Sequence, residues 1–222
     1  MKKFLNFLFN DSIKKEIIEW IFCILIALIL ALLFRYFIAT PTTVKMTSMF
    51  PTLEDKDKLL LNRTIRISNK IPQRGDIITF ERPSKTKFSS TDEINTASPI
   101  AIYENEPAGL FNRFIYYVLE IGKESYIKRV IALPGEHVKI KDGNVYINDK
   151  KLDEPYLNDG IVTDVSGIGF DDFVVPKNCI FAMGDNRAGS IDCRNFGCIP
   201  FNKIEGIVLF RIFPFDKFGK IQ

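Results

Sequence analysis

The sequence predicts a mainly β protein, with one N-terminal transmembrane helix followed by an antiparallel β-sheet domain. Three observations carry that expectation: an apolar run of membrane length near the N-terminus, a succession of short β-prone runs punctuated by turn residues, and a hairpin pattern in HVKIKDGNVYIN. A chain of 222 residues suits one sizeable domain plus an appendage, on a prior of about 100 to 200 residues per domain.

The apolar run, Ile17 to Ala39, reads IIEWIFCILIALILALLFRYFIA. As a helix it would extend about 35 Å at ~1.5 Å per residue, enough to cross a hydrocarbon core of ~30 Å. Its charged residues, Glu19 and Arg35, lie near the ends, where they reach the interface, and Trp20 and Tyr36 occupy places expected of an aromatic belt. Lys2, Lys3, Lys14 and Lys15 precede the run, while Arg35 and Lys45 are the nearest basic residues at or beyond its far end. This bias predicts residues 1–16 in the cytoplasm, 17–39 in the cell membrane as a single pass, and 40–222 on the extracytoplasmic side. A cleavable secretory signal is the rival, because FIATPT offers a small-residue cut site. The sixteen residues before the run and its length favour an uncleaved anchor.

Beyond the anchor, strand character recurs at Lys58 to Asn62, Asp76 to Phe80, Ser125 to Leu133, His137 to Ile140, Val145 to Asn148, Asp172 to Val175, Cys179 to Met183 and Gly206 to Phe213. Pro72, Pro134, Gly135, Pro176 and Pro200 separate these runs, a spacing that suits an antiparallel rather than a parallel arrangement. Asp142 and Gly143 suit the positive φ angles of a tight hairpin turn. Residues 84–123 read as an insertion between two strands, polar in SKTKFSSTDEINTAS, then apolar in GLFNRFIYYVLEIG, where one short amphipathic helix is expected.

Charge excludes one class of partner. The net charge is +3, and the lysines are scattered among nearly as many acids, so nucleic acid receives no support. One histidine and no second close cysteine pair argue against a zinc site, and no metal or cofactor is expected. Cys193 and Cys198 could bridge if the loop between them doubles back, or could pack as free thiols with Cys179.

Ser48, in KMTSMFPTL, is a candidate nucleophile, but His137 alternates with Val138 and Ile140 on a hairpin arm and reads as a surface residue. A base for Ser48 must then come from elsewhere. Strand alternation in SYIKRVIAL puts Lys128 on one face with Tyr126, Val130 and Ala132, where an ammonium would be poorly solvated. Burial lowers a lysine from about 10.4 and can leave it neutral, although a snorkelling surface lysine is the commoner reading of such a position. The segment MGDNRAGSIDCRNFG adds a dense group of Asp185, Asn186, Arg187, Ser190, Asp192 and Arg194 after an apolar strand.

Four segments, Ser48 to Leu53, Gly75 to Ile78, Tyr126 to Glu136 and Met183 to Arg194, resemble in order the characteristic boxes of bacterial type I signal peptidases. The resemblance covers nearly the whole chain and implies a β domain of the signal peptidase type. It also implies a membrane-anchored serine endopeptidase that removes signal peptides from secreted precursors through a Ser/Lys dyad and an acyl-enzyme. On matching positions Ser48 would be the nucleophile and Lys128 the general base, with Ser190 hydrogen-bonded to the lysine. Arg129, Asp185, Asp192 and Arg194 would form a supporting polar network. Met49, Leu53, Tyr126 and Ile127 are candidates for lining the substrate pocket, by resemblance and by proximity to the dyad. The partners implied are signal peptides of secretory precursors and the lipid bilayer.

The chain departs from the pattern at two places. Met46 stands where some members have a serine or threonine whose hydroxyl helps the oxyanion hole, and Cys193 stands where serine is usual. The alternatives are an inactive membrane-anchored scaffold, a pilin-processing relative, and a self-cleaving repressor, which would need a DNA-reading helical module that this N-terminus lacks.

Overall fold

The computed structural model describes residues 11–68, 70–104, 106–165 and 169–221; Lys2 and Lys3, on which the charge bias partly rests, lie outside them. Helix α1 spans Asp11–Phe37, and none of its most apolar window is covered by the rest of the chain. It stops short of Ala39 for a local reason. Pro41 cannot donate a helical hydrogen bond and pushes Thr40 towards extended geometry, so the chain leaves the helix and enters strand β1, Ala39–Thr43.

The remaining strands are β2 (Lys58–Asn62), β3 (Ile77–Glu81), β4 (Ser125–Ala132), β5 (His137–Lys141), β6 (Asn144–Ile147), β7 (Lys150–Lys151), β8 (Asp172–Val174), β9 (Cys179–Met183), β10 (Ile199–Pro200) and β11 (Ile204–Phe213). They build a seven-stranded sheet in the order β1, β2, β11, β3, β4, β9, β10 and a four-stranded sheet in the order β7, β6, β5, β8. Every pairing between these strands is antiparallel, as expected. Each β-prone run of the sequence forms a strand.

The strands that escaped the sequence reading are β1, β7 and β10, which lie at sheet edges. β1 and β10 each carry a proline, tolerated there because the missing N–H belongs to a position that need not donate into a ladder. Asp142 and Gly143 join β5 to β6 with φ of 51° and 75°, the two positive angles the hairpin requires.

The insertion leaves β3 at Glu81 and returns at Ser125, residues that face each other in register, so it is an excursion from a hairpin. It contains helix α2, Leu110–Phe114, continued by a π turn over Ile115–Leu119.

One apolar core fills the space between the two sheets, with Ile78, Phe80, Val130, Ile131, Phe173, Ile180, Phe181 and Phe196 among its members. A smaller cluster of Val44, Met49, Leu53, Leu59 and Ile77 lies under the segment that follows β1. Cys179, Cys193 and Cys198 are buried free thiols, so the possible Cys193–Cys198 bridge is not formed and the small-hydrophobe alternative holds.

Candidate active site

Ser48 sits on a turn between β1 and β2, half-buried, closed by hydrogen bonds from Phe50 N to Thr47 O (3.1 Å) and from Leu53 N to Met49 O (2.9 Å). Met49 and Leu53 pin that turn from below, because both side chains are fully buried in the smaller core. The expectation that they line a substrate pocket does not fit side chains with no accessible surface; they support the serine turn from beneath. Tyr126 and Ile127 are only partly buried and lie beside Lys128.

Lys128 lies in the middle of β4, paired with Ile78 of β3, and is 3% exposed. Its Nζ is 2.7 Å from Ser48 Oγ and 3.0 Å from the carbonyl oxygen of Ile127, with the Tyr126 ring centroid 5.3 Å away. Burial pushes the Lys128 amine down to about 8, and the nearby Asp192 carboxylate opposes that displacement without cancelling it. A residue that is usually a solvated charge is therefore close to neutral at mildly alkaline pH, with its nitrogen in reach of a hydroxyl.

The polar network surrounds this pair without solvating it. Arg129 grips Asp185 bidentately, Nε to Oδ1 at 3.0 Å and Nη2 to Oδ2 at 2.8 Å, and also donates to the Gly75 carbonyl at 3.1 Å. Arg194 grips Asp192 in the same way, at 2.9 and 2.8 Å, while Gly184 N donates to Asp192 Oδ2 at 3.0 Å. Burial alone would push the Asp192 carboxyl up; the Arg194 guanidinium and the Gly184 N–H outweigh it and hold it below its usual value. Such bidentate ion pairs are directional, so they fix loop geometry as well as neutralising buried charge.

Ser190 departs from its expected role. Its Oγ is buried without a hydrogen-bond partner among the described residues, and the Lys128 amine is turned to Ser48 and the Ile127 carbonyl instead. Ser190 packs over Gly184: a Cβ at Gly184 would meet Ser190 Oγ at 2.2 Å and the Ser48 carbonyl oxygen at 2.4 Å. Gly184 is thus the point where the loop and the Ser48 backbone touch.

Sequence reasoning gave no role to Gly184 or Asn186. Asn186 holds the serine turn directly, its N–H donating to Ser48 O at 3.1 Å and its Nδ2 to Thr47 O at 3.2 Å. Arg187 also went unassigned; it binds Glu154, at 3.0 Å from Nη1 to Oε2, and ties the loop to a segment thirty-three residues earlier. Their presence in a dense polar loop was the only signal available. Cys193 fits its place as a small fully buried group, its Sγ accepting from Ala182 N at 3.3 Å and its thiol pushed well up by burial.

Met46 adopts φ of 72°, a left-handed conformation unusual for a side chain of its size, and its N–H donates to Asp55 Oδ1 at 3.0 Å. His137 is a partly exposed strand residue, as expected, with Nε2 2.7 Å from Asp172 Oδ1.

A family model described as signal peptidase, peptidase S26, matches residues 17–213. Signal peptidase I S of Bacillus subtilis (strain 168) is 34% identical over 222 residues, covering 95% of this chain and 97% of its own. Signal peptidase I T of the same organism is 35% identical over 206 residues, covering 90% and 87%. Signal peptidase IB of Staphylococcus aureus (strain COL) is 31% identical over 218 residues, covering 92% and 94%.

Proposed function

The chain belongs to the signal peptidase family, peptidase S26, and from that premise we propose that Ser48 is its nucleophile and Lys128 its general base. The protein is a serine endopeptidase that removes signal peptides. Its relatives lend no support to the inactive-scaffold or pilin-processing alternatives.

The single observation behind the assignment is the 2.7 Å contact between Ser48 Oγ and a lysine that is 3% exposed. In the proposed mechanism the neutral Lys128 amine accepts the Ser48 hydroxyl proton while Oγ attacks the scissile carbonyl carbon. The tetrahedral intermediate collapses as the lysine ammonium hands that proton to the leaving amine, which leaves an ester on Ser48. Water then attacks the ester, Lys128 takes its proton, and the same proton returns to Oγ as the acid product departs. The Ser48 N–H is the oxyanion donor this chain retains at its nucleophile, since Met46 offers no hydroxyl. Tyr126 and Ile127 would face the small residues before the cut.

The dyad belongs near the membrane. Ser48 follows Ala39 by nine residues, so even an extended link reaches no further than about 30 Å at ~3.3 to 3.6 Å per residue. A signal peptide still tethered by its own apolar helix would meet the enzyme in two dimensions, which raises its effective concentration. The N-terminal apolar helix suggests a membrane anchor, and we assign the residues before it to the cytoplasm and those after it to the extracytoplasmic side.

Lys128→Met and Ser48→Ala test the dyad in a precursor-cleavage assay. Each is expected to abolish cleavage while the protein stays folded; full activity in either variant overturns the assignment.

A further inference from the structure

The insertion over residues 84–123 plays no part in the dyad or its network, yet it carries a run of exposed large apolar side chains, among them Leu110, the most exposed such side chain of the described residues. Leu110 is 88% exposed, Phe111 74% and Ile121 63%, with Phe114 also exposed. Solvating them would be costly, and α2 packs none of them against the core.

The location of this segment says what covers them. Glu120, at the end of the π turn, is bound by Arg35 in the last turn of α1 at 3.2 Å, by Arg63 at 2.7 Å and by Arg66 at 3.5 Å. Burial pushes the Glu120 carboxyl up, but the arginines outweigh it and keep it charged. Arg66 in turn stacks on Tyr36 of α1, 4.6 Å from the ring centroid, and donates to the Tyr36 carbonyl. A cavity of about 630 Å³ is lined jointly by Tyr36 and Phe37 of the anchor, Ile67 and Ile71 after β2, and Tyr117 of the insertion. Through Glu120 and Tyr117 the segment is tied to the far end of the apolar span, and Leu110 is no more than about 15 Å along the helix from Glu120 at ~1.5 Å per residue.

We propose that the segment Leu110 to Ile121 is a second membrane-contacting element, a short interfacial helix whose Leu110, Phe111, Phe114 and Ile121 enter the headgroup and acyl boundary beside the anchor. Arg113 adds positive charge that suits anionic headgroups, whereas Lys123 is buried against Glu205 at 2.6 Å, and Tyr116 and Tyr117 are the residue type that settles at that depth. Because the insertion joins β3 to β4, the seated helix holds the strand bearing Lys128 at a fixed height over the bilayer. The proposal rests on α1 lying in the membrane.

Depth-dependent fluorescence quenching tests it. The full chain carrying Trp20→Phe and Phe111→Trp is reconstituted into phosphatidylglycerol–phosphatidylcholine vesicles with or without brominated acyl chains. Bromination is expected to reduce the emission of the introduced indole at least twofold. Unchanged emission, with Trp20 of the parent chain quenched in the same vesicles, shows the anchor inserted and the helix out of the lipid, and overturns the proposal alone. No quenching of Trp20 removes the anchor reading and the proposal with it. A blue shift that depends on protein concentration and ignores bromination points to a second copy on this face and also overturns it. In a second arm, Leu110→Glu with Phe111→Glu should leave cleavage of a soluble peptide in detergent unchanged and slow cleavage of a vesicle-embedded precursor about tenfold. Equal rates on the embedded precursor, or equal losses on both substrates, contradict the proposal.

Discussion

An amine held at 3% exposure is destabilising while it carries a proton, and in the proposed mechanism the fold accepts that burden at Lys128 in exchange for a base. The displacement from 10.5 to about 8 corresponds to about 3 kcal/mol at ~1.36 kcal/mol per pH unit. Its sign follows from proton linkage. Between pH 8 and 10.5 the folded chain binds fewer protons at Lys128 than the unfolded chain does, so stability rises with pH across that window and the burden is full below it. Lys128→Met should therefore raise the denaturant midpoint at pH 7 by an amount that shrinks as pH rises past 8, while cleavage is lost. A midpoint lower than that of the parent chain at pH 7 would contradict this account. Two local features drew attention to the candidate pair, a serine beside methionine just after an apolar run and a lysine on the apolar face of a strand, but its assignment came from the resemblance to the family's boxes. Alternation alone left Lys128 open to snorkelling; what settles its burial is β9 and β3 on either side of β4, a non-local fact. The same limit explains Met49 and Leu53, whose proximity to Ser48 in sequence concealed that they point into the core.

At the scale of elements, the site depends on register. β3 places Ile78 opposite Lys128 and Ile77 opposite Arg129, and β9 places Met183 opposite Arg129, so the loop after Met183 emerges where the serine turn arrives. Gly184 is the contact point. Gly184→Ala would drive a Cβ into Ser190 Oγ and the Ser48 carbonyl, and only the serine side chain can rotate away. Overpacking of this kind costs about 1 to 3 kcal/mol, and an ångström of misplacement at the nucleophile can lower the rate about 100-fold. The expected outcome is a folded protein of slightly reduced stability whose kcat/KM falls about two orders of magnitude; a variant with parental kcat/KM would show that the contact does not position Ser48. The central strands were legible because hydrophobic runs and turn residues are local signals. The edge strands β1, β7 and β10 were not, since two-residue ladders and proline-bearing edges have no periodicity to read. Ser190 was assigned to Lys128 by resemblance, and the structure instead seats it over Gly184.

For the whole molecule, the anchor and the insertion meet at one end of the strands, where Ala39 pairs with Asn62 and Glu81 with Ser125, and the serine turn follows the other end of β1. β1 follows α1 after a single residue, and Arg35, Arg63 and Arg66 converge on Glu120, so the domain is braced against the far end of the span rather than hung from a linker. The orientation drawn from basic residues predicts that protease added outside spheroplasts degrades the domain beyond residue 40, while the same protease added to inside-out vesicles spares it. The reverse pattern would invert the topology and place the dyad on the wrong side for translocated precursors. Length and hydropathy made the span legible from sequence; the brace was not, because its partners are separated by up to eighty-five residues and only the fold brings them together.

The account stands most directly on the protonation state of one amine. Titration of the full-length protein labelled with carbon-13 at lysine Cε, with Lys128 assigned by its absence from Lys128→Met, should reveal one resonance with a midpoint near 8. If the Lys128 signal has its midpoint near the ordinary lysine value of about 10.4, the buried neutral base does not exist and the mechanism fails.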